Sequence, residues 1–464
     1  MQAQNVQQFI DQHPFSPLQK RLLALCFLVV AIDGFDTASI GFIAPALRGE
    51  WHLSAAALAP LFGAGLFGLM AGALLLGPLA DRHGRKPILI LSVAFFGLTS
   101  LLSSFATDMT TLLVLRFLTG LGLGGAMPTT ITLTSEYCPQ ARRASLVTLM
   151  FCGFTIGSAL GGLVAAQLLA SVGWRGILMI GGVLPLVLVP VLVFLLPESL
   201  RWMVLRGRDG SAIAAKIAGG GKTLPPLTVS DVKLPGSPVS QLFRPGLFKG
   251  TLLLWTTFFM SLLIIYLLSS WLPTILNAAG HSLSQASFIS SAFQIGGTLG
   301  AILLGRWMDR FRPHRVLALA YGAAALCIAV VGMATRNVPL LVLAVFGVGF
   351  GVSGSQVGAN ALAAAFYPTT SRATGVSWAS AIGRSGSVLG SMVGGALLAA
   401  ELSNETIFLL LAVPAVLAAC ALLAMGRLQA RVDRAASAAS AAAPAEAADT
   451  VLVPLSPTTK GSLT

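Results

Sequence analysis

Leu22-Leu23-Ala24-Leu25-Cys26-Phe27-Leu28-Val29-Val30-Ala31-Ile32 runs directly into Asp33-Gly34-Phe35-Asp36, and the apolar run resumes as Ile40-Gly41-Phe42-Ile43-Ala44-Pro45. About 20 apolar residues suffice to cross a bilayer as a helix. Asp33 and Asp36 stand at i, i+3 and so share one face of that helix. A charge at bilayer depth costs on the order of a few kcal/mol, so ionisable groups there usually face a cavity and carry function. Two adjacent carboxylates in a low-dielectric site are not readily ionised together, and one is expected to hold a proton near neutral pH. The pair reads as the equipment of a proton-coupled carrier. The bland alternative, two acids at the end of a soluble helix, does not fit the flanking apolar length.

Composition extends the reading to the whole chain. Hydrophobic residues make up 55% and charged residues 10%, against about 25% charged in a soluble domain. Twelve apolar windows recur, near 22–46, 58–80, 88–106, 110–135, 143–170, 174–196, 249–276, 286–307, 315–334, 338–366, 373–399 and 405–426. The expected class is an all-α membrane protein with twelve transmembrane helices. Residues 1–21 are polar, and the first apolar run is too long for a signal peptide and lacks a cleavage site, so no cleavable leader is expected.

The net charge of +13 is distributed by side. With the N-terminus inside, Lys20, Arg21, Arg82, Arg85, Lys86, Arg142, Arg143, the cluster in 197–249, Arg306, Arg310, Arg312, Arg315, Arg372 and the tail cations fall on the cytoplasmic face. Only Arg48, Arg175 and Arg336 fall opposite, while Arg116 and Arg384 lie inside spans. This is the positive-inside bias, and it places both termini in the cytoplasm. The basic balance reports topology and contact with anionic lipid, and argues against a nucleic-acid partner. Cys26, Cys138, Cys152, Cys327 and Cys420 show no pairing or metal spacing and read as small hydrophobes. No metal motif, Walker loop or nucleophile–base motif is present, so no metal, cofactor, ATP drive or enzymatic activity is expected.

The chain repeats itself. Gly77-Pro78-Leu79-Ala80-Asp81-Arg82-His83-Gly84-Arg85-Lys86 follows the second window, and Gly305-Arg306-Trp307-Met308-Asp309-Arg310-Phe311-Arg312 follows the eighth. Gly77 and Gly305 are 228 residues apart, as are Asp81 and Asp309. Arg142, after Glu136-Tyr137-Cys138-Pro139, and Arg372, after Tyr367-Pro368, are 230 apart. The expected organisation is an N-terminal segment (1–21), a six-helix bundle (22–196), a polar cytoplasmic linker (197–248), a second six-helix bundle (249–427) and a disordered Ala- and Ser-rich cytoplasmic tail (428–464). The 209–247 stretch is expected to be mostly loose. A parallel repeat of this kind suggests two bundles rocking about a midplane site.

The Gly-x-Leu-Ala-Asp-Arg-x-Gly-Arg-Lys loop, its weaker copy at 305–312 and Arg116-Phe117-Leu118-Thr119-Gly120-Leu121-Gly122 resemble the major facilitator superfamily over roughly residues 20–427. Asp33-Gly34-Phe35-Asp36-Thr37 with Gly41-Phe42-Ile43-Ala44-Pro45, and Tyr367-Pro368-Thr369, Arg372-Ala373-Thr374-Gly375-Val376 and Gly383-Arg384, resemble its aromatic acid:proton symporters. The resemblance implies a monomeric, multi-pass inner-membrane symporter of the major facilitator fold. Its cargo would be a benzoate-type acid such as 4-hydroxybenzoate or protocatechuate.

Two rival motifs are weighed beside it. Pro197-Glu198-Ser199-Leu200-Arg201-Trp202 is similar to a sugar-transporter stretch but departs at Leu200, and by itself it says little about substrate. Gly153, Gly157, Ser158, Gly161 and Gly162 resemble the antiporter motif of drug exporters, yet Ser158 stands where proline is expected. Small residues at i, i+4 also permit close helix packing, and that is the reading preferred for them.

Arg384 lies mid-span among Gly383, Ser385, Gly386 and Gly390. Its planar fork matches a carboxylate. It reads either as the anchor for the substrate's carboxylate or as the partner of an acid on another helix, such as Asp33 or Asp36. Arg116 reads as a group tuning the proton site or neutralising Asp36, or as a structural pair joining the first and fourth helices. Family analogy makes Asp81, Arg85 and Glu136, with Asp309 as the second-half equivalent, an inner gate; simple cytoplasmic anchoring is the alternative. Gln356 and Asn360, at i, i+4, can hydrogen-bond a substrate or a neighbouring helix. Phe35, Tyr266, Trp271, Phe293 and Trp378 are candidate walls for an aromatic ring, with Phe35 preferred.

Charge explains the need for protons. Moving one anion inward against a negative interior costs about 2.3 kcal/mol per 100 mV. One co-transported proton cancels this cost, and two harness the potential. The competing functions are symport of another organic acid or a sugar, proton-driven export, and a receptor that binds without flux.

Overall fold

The computed structural model describes residues 4–219, 225–229, 240–244, 247–334, 337–367, 372–400 and 402–442. Helices start where caps permit. Ser16 and Gln19 form a reciprocal capping box ahead of Pro17, which fits the first turn because it needs no N–H there. After a short α1 (Val6–Gln12) this opens α2 (Pro17–Trp51), the helix that carries both aspartates. Ser54 caps α3 (Ala55–His83). Then come α4 (Arg85–Ser103), α5 (Met109–Tyr137), capped by Asp108, and α6 (Arg143–Leu195). In α6 the fifth and sixth expected windows are joined across a break at Gly173, whose φ of 68° and ψ of −179° suit a residue without a Cβ.

The second half comprises α9 (Phe248–Ala278), α10 (Leu283–Arg310), α11 (Pro313–Met333), α12 (Val338–Val348), a π-helical turn at Gly349–Ser353, α13 (Gly354–Phe366), α14 (Arg372–Ala399) and α15 (Asn404–Ala442). Among the described residues, ten helices are long and apolar enough to cross a membrane. The eleventh expected window, α14, is not one of them, because Gly383, Arg384, Ser385, Gly386 and Ser387 lower its apolar content.

The sequence repeat is matched by a packing repeat. The first part of α6 lies on α2 as α14 lies on α9; α3 packs on α5 as α10 packs on α12 and α13; the second part of α6 packs on α4 as α15 packs on α11. The two halves meet through α2 and α9, α3 and α14, and α6 and α10. Contacts between them include Phe62 edge-on to Trp271 and a Thr298 hydroxyl donating to Thr155 at 2.6 Å.

Several described residues of the polar segments form regular structure. The linker carries α7 (Leu200–Leu205), and within 209–247 the described residues include α8 (Ser211–Ala218) and a strand β2 (Leu227–Thr228). β2 pairs in parallel with β1 (Gln4–Asn5), which ties the N-terminal segment to the linker. The tail does not begin at 428: α15 continues to Ala442, as the alanine-rich composition of 435–442 favours. Residues 443–464, and Pro368 to Ser371 of the second-half loop, lie outside the described residues.

Candidate functional site

Asp33 and Asp36 sit at mid-length on α2, each only 1% exposed. Their surroundings differ. Asp36 accepts hydrogen bonds from the Ser100 hydroxyl on α4 and from Arg116 Nη1 on α5, the latter at 3.1 Å. Arg116 is itself 4% exposed, so the ion pair is buried on both sides. Asp33, one turn earlier, accepts one bond from the Thr37 hydroxyl at 3.1 Å, and its Oδ2 is buried without a hydrogen-bond partner. A buried carboxylate oxygen left unsatisfied is costly, and a proton is one way to relieve it.

Asp36, Thr37, Arg116 and Thr119 line a cavity that is closed on the other side by Tyr266 and Ser270 of α9. The Tyr266 hydroxyl accepts a bond from Arg384 Nη1 at 3.2 Å, and Arg384 Nη2 lies 3.6 Å from the Met127 sulfur. Among the described residues no carboxylate pairs with Arg384. The pairing of Arg384 with Asp33 or Asp36, open from the sequence, is therefore absent; Asp36 is held by Arg116 instead. The site offers one satisfied acid, one acid with a free oxygen, and a half-buried guanidinium with a phenol beside it.

Several expected ligands are not brought to this cavity. Phe35 is buried in the packing of α2 on α6, over Gly161 and Gly181, rather than facing the cavity. Trp378 is 40% exposed and stacks on Trp255 at 6.0 Å. It stands six residues before Arg384 on α14, about 9 Å along the helix axis. Asn360 is exposed, and Gln356 is half-buried with an unpartnered Oε1. Spacing of i, i+4 fixes a shared face but not the neighbour that face meets.

At the linker end a second charged cluster forms. Arg85 contacts Asp81 at 3.0 Å and Glu136 at 3.3 Å. Glu136 also accepts from the Ser199 hydroxyl. The carboxylate of Glu198 accepts the backbone N–H groups of Arg85 at 2.9 Å and Lys86 at 3.2 Å. A carboxylate at that place complements the N-terminal dipole of α4. Trp202 Nε1 donates to the Asp81 carbonyl at 3.0 Å. Asp309, the repeat equivalent of Asp81, is exposed and makes no ion pair among the described residues.

The Major Facilitator Superfamily model matches residues 26–329 and 274–459. The chain belongs to the Major Facilitator Superfamily. It is 47% identical over 435 residues to a 4-hydroxybenzoate transporter of Pseudomonas aeruginosa, covering 91% of this chain and 96% of that one. It is 47% identical over 431 residues to a gallate transporter of Pseudomonas putida, covering 92% of this chain and 96% of that one. The D-xylose-proton symporter structure superposes with a TM-score of 0.67 at 18% identity, over 87% of this chain and 96% of that one, which shows the shared fold.

Within this superfamily member, sequence reasoning missed Ser100, Glu198 and Ser199. Ser100 is one hydroxyl among several in a span, and nothing in its spacing marks Asp36 as its partner. Glu198 did carry a signal, since Pro197-Glu198-Ser199 stood out as a motif, but it was weighed only as a clue to substrate. Its role here is to tie the start of α4 to the linker.

Proposed function

We propose that this chain is a proton-coupled importer of a hydroxylated benzoate, working by alternating access across the inner membrane. Twelve spans carry it: the helices of α2 to α6, with α6 broken at Gly173, and those of α9 to α15, with both termini and the linker in the cytoplasm. The positive-inside count supports this orientation. The observation that carries the function is Arg384, a half-buried guanidinium at mid-span with no carboxylate of its own. Its relatives carry 4-hydroxybenzoate and gallate by name, and both cargoes bear one carboxylate on a hydroxylated ring.

In this reading Arg384 takes the substrate carboxylate, with Tyr266 and Ser270 available to ring hydroxyls. Asp33 is the proton carrier, because its free oxygen has nothing else to satisfy it. Asp36 is held by Arg116 and Ser100 and sets the local field. When the substrate anion reaches Arg384, a proton taken up at Asp33 offsets the negative charge that the substrate brings. The loaded site then carries no more net charge than the empty one, which limits the cost of carrying it across a low-dielectric barrier. Asp81, Arg85, Glu136 and Glu198 form the latch at the cytoplasmic end that must loosen and re-form in each cycle.

The test is uptake of labelled 4-hydroxybenzoate into proteoliposomes under an inward proton gradient. Accumulation that a protonophore abolishes is expected. Failure of 4-hydroxybenzoate, protocatechuate and gallate alike to accumulate overturns the substrate class.

A further inference from the structure

In the first copy of the repeated loop the chain supplies anions for Arg85, while Arg82, the equivalent of Arg310, is exposed. Arg85 is met by Asp81 and Glu136, and Lys86 Nζ is held by the Val193 carbonyl. The second copy has Arg310, Arg312 and Arg315, all exposed. None of them forms an ion pair among the described residues. The repeat also loses the acid that would serve them. The position equivalent to Glu136, 230 residues on, is Phe366. Three arginines therefore gather at the junction of α10 and α11 with no ion-pair partner among the described residues.

They gather at the mouth of a groove. A cleft of about 800 Å³ runs between α10, α11 and the π-helical turn, with Arg310, Arg312 and Arg315 at its linker end and Trp307, Leu319 and Phe350 among its walls. Two backbone features shape it. Gly347 and Gly351 line it, and a Cβ at either would press on Cys327 or on α11 at Ala320. The π-helical turn at Gly349–Ser353 interrupts the regular surface at the same level. The groove faces outward, since Leu319 is 74% exposed and Trp307 45%.

We propose that this groove is a binding site for one anionic phospholipid, its phosphate on Arg310, Arg312 and Arg315 and one acyl chain along Trp307, Leu319 and Phe350. Charge complementarity decides the occupant. An apolar cleft alone would take any acyl chain, but three unpaired arginines at its bilayer-surface end select a lipid whose headgroup carries net negative charge. The site lies on the outer face of the second half and is independent of the transported substrate.

Trp307 gives the readout. The full chain is reconstituted in phosphatidylcholine vesicles containing brominated phosphatidylglycerol or brominated phosphatidylcholine, and the part of the quenching lost in Trp307→Phe is followed. Brominated phosphatidylglycerol should half-quench Trp307 at a mole fraction lower by at least about fivefold, the factor for one arginine's share of attraction at a membrane surface. The Arg310→Gln, Arg312→Gln, Arg315→Gln triple variant should lose this preference. Ala323→Phe, which fills the groove without touching the charges, should reduce quenching by both lipids and decides the case if the triple variant does not fold. Equal quenching by the two lipids in the wild type, an undiminished preference in the triple variant, or unchanged quenching in Ala323→Phe overturns the proposal.

Discussion

Arg116 reaches across from α5 to donate to Asp36 at 3.1 Å, while Asp33, one turn away on the same face of α2, forms no ion pair among the described residues. The two acids are thus unequal in kind. One belongs to a closed, buried pair; the other keeps an oxygen free. The sequence presents them as a symmetrical pair, and the neighbouring helices break the symmetry.

The inequality predicts opposite mutant behaviour. Asp36→Asn leaves the Arg116 guanidinium buried and unpaired, and breaking a buried pair from one side costs about 3–5 kcal/mol. Its thermal midpoint in detergent should fall well below wild type. Asp36→Asn combined with Arg116→Met should recover much of the loss, because no lone charge remains. A double variant as unstable as the single one would contradict the assignment.

Asp33→Asn should behave differently. It replaces a carboxylate that makes one hydrogen bond with an isosteric amide, so stability should change little. Gradient-driven accumulation should disappear, while exchange of labelled for unlabelled substrate across the membrane continues. Loss of both activities together would mean that Asp33 binds substrate rather than coupling protons.

Arg384→Gln removes a guanidinium that no carboxylate among the described residues occupies. A hydrogen bond to a charged group is worth about 1.5–3 kcal/mol, so substrate affinity should fall by an order of magnitude or more. Arg384→Lys should recover little of it, since an ammonium cannot reproduce the planar fork. Tyr266→Phe, which removes the hydroxyl 3.2 Å from Arg384, should cost only a few-fold. Binding measured by calorimetry or by substrate protection of the thermal midpoint checks the order of the three.

What could be read from the chain follows from how anomalous each residue is. Asp33, Asp36, Arg116 and Arg384 stand out because charge inside an apolar run demands a partner or a task, and three of them meet around one cavity or its neighbour Tyr266. Aromatic residues carry no such signal. Every face of a membrane helix tolerates them, so Phe35 and Trp378 could not be told from Tyr266, and only Tyr266 lines the cavity. Serine in a span is equally uninformative, which hid Ser100. The halves were visible as equal spacings, yet the loss of the acid opposite the second arginine cluster becomes meaningful only when Arg85 is seen to need Glu136.

The latch at the linker end should respond unevenly. Asp81's side chain is 74% exposed, and exposed pairs contribute about 0–1 kcal/mol. Glu136's is 9% exposed and also receives the Ser199 hydroxyl. Glu136→Gln should therefore lower the thermal midpoint and alter the uptake rate more than Asp81→Asn does. The reverse order would mean that Asp81 finds a stronger partner in another state of the cycle.

The glycine pattern of α6 yields the last prediction. A Cβ at Gly157 would overlap the Ala31 carbonyl oxygen of α2, and one at Gly153 would crowd that of Phe27. Ser158, in the position where exporters carry proline, donates instead to the Gly34 carbonyl at 2.9 Å, between the two aspartates. Helix α2 thus rests on α6 backbone to backbone at the level of the acids, with no side chain between them to absorb a change. Gly157→Val must push α2 outward, and that movement carries Asp36 away from Arg116 and Ser100, which belong to other helices. Its thermal midpoint should drop and proton-driven accumulation should be lost together. Ser158→Ala removes only one hydrogen bond, about 0.5–1.5 kcal/mol, and leaves the helices in contact. It should keep both properties near wild type. If Ser158→Ala instead abolished accumulation at unchanged stability, the hydroxyl would be serving the proton path and not the packing.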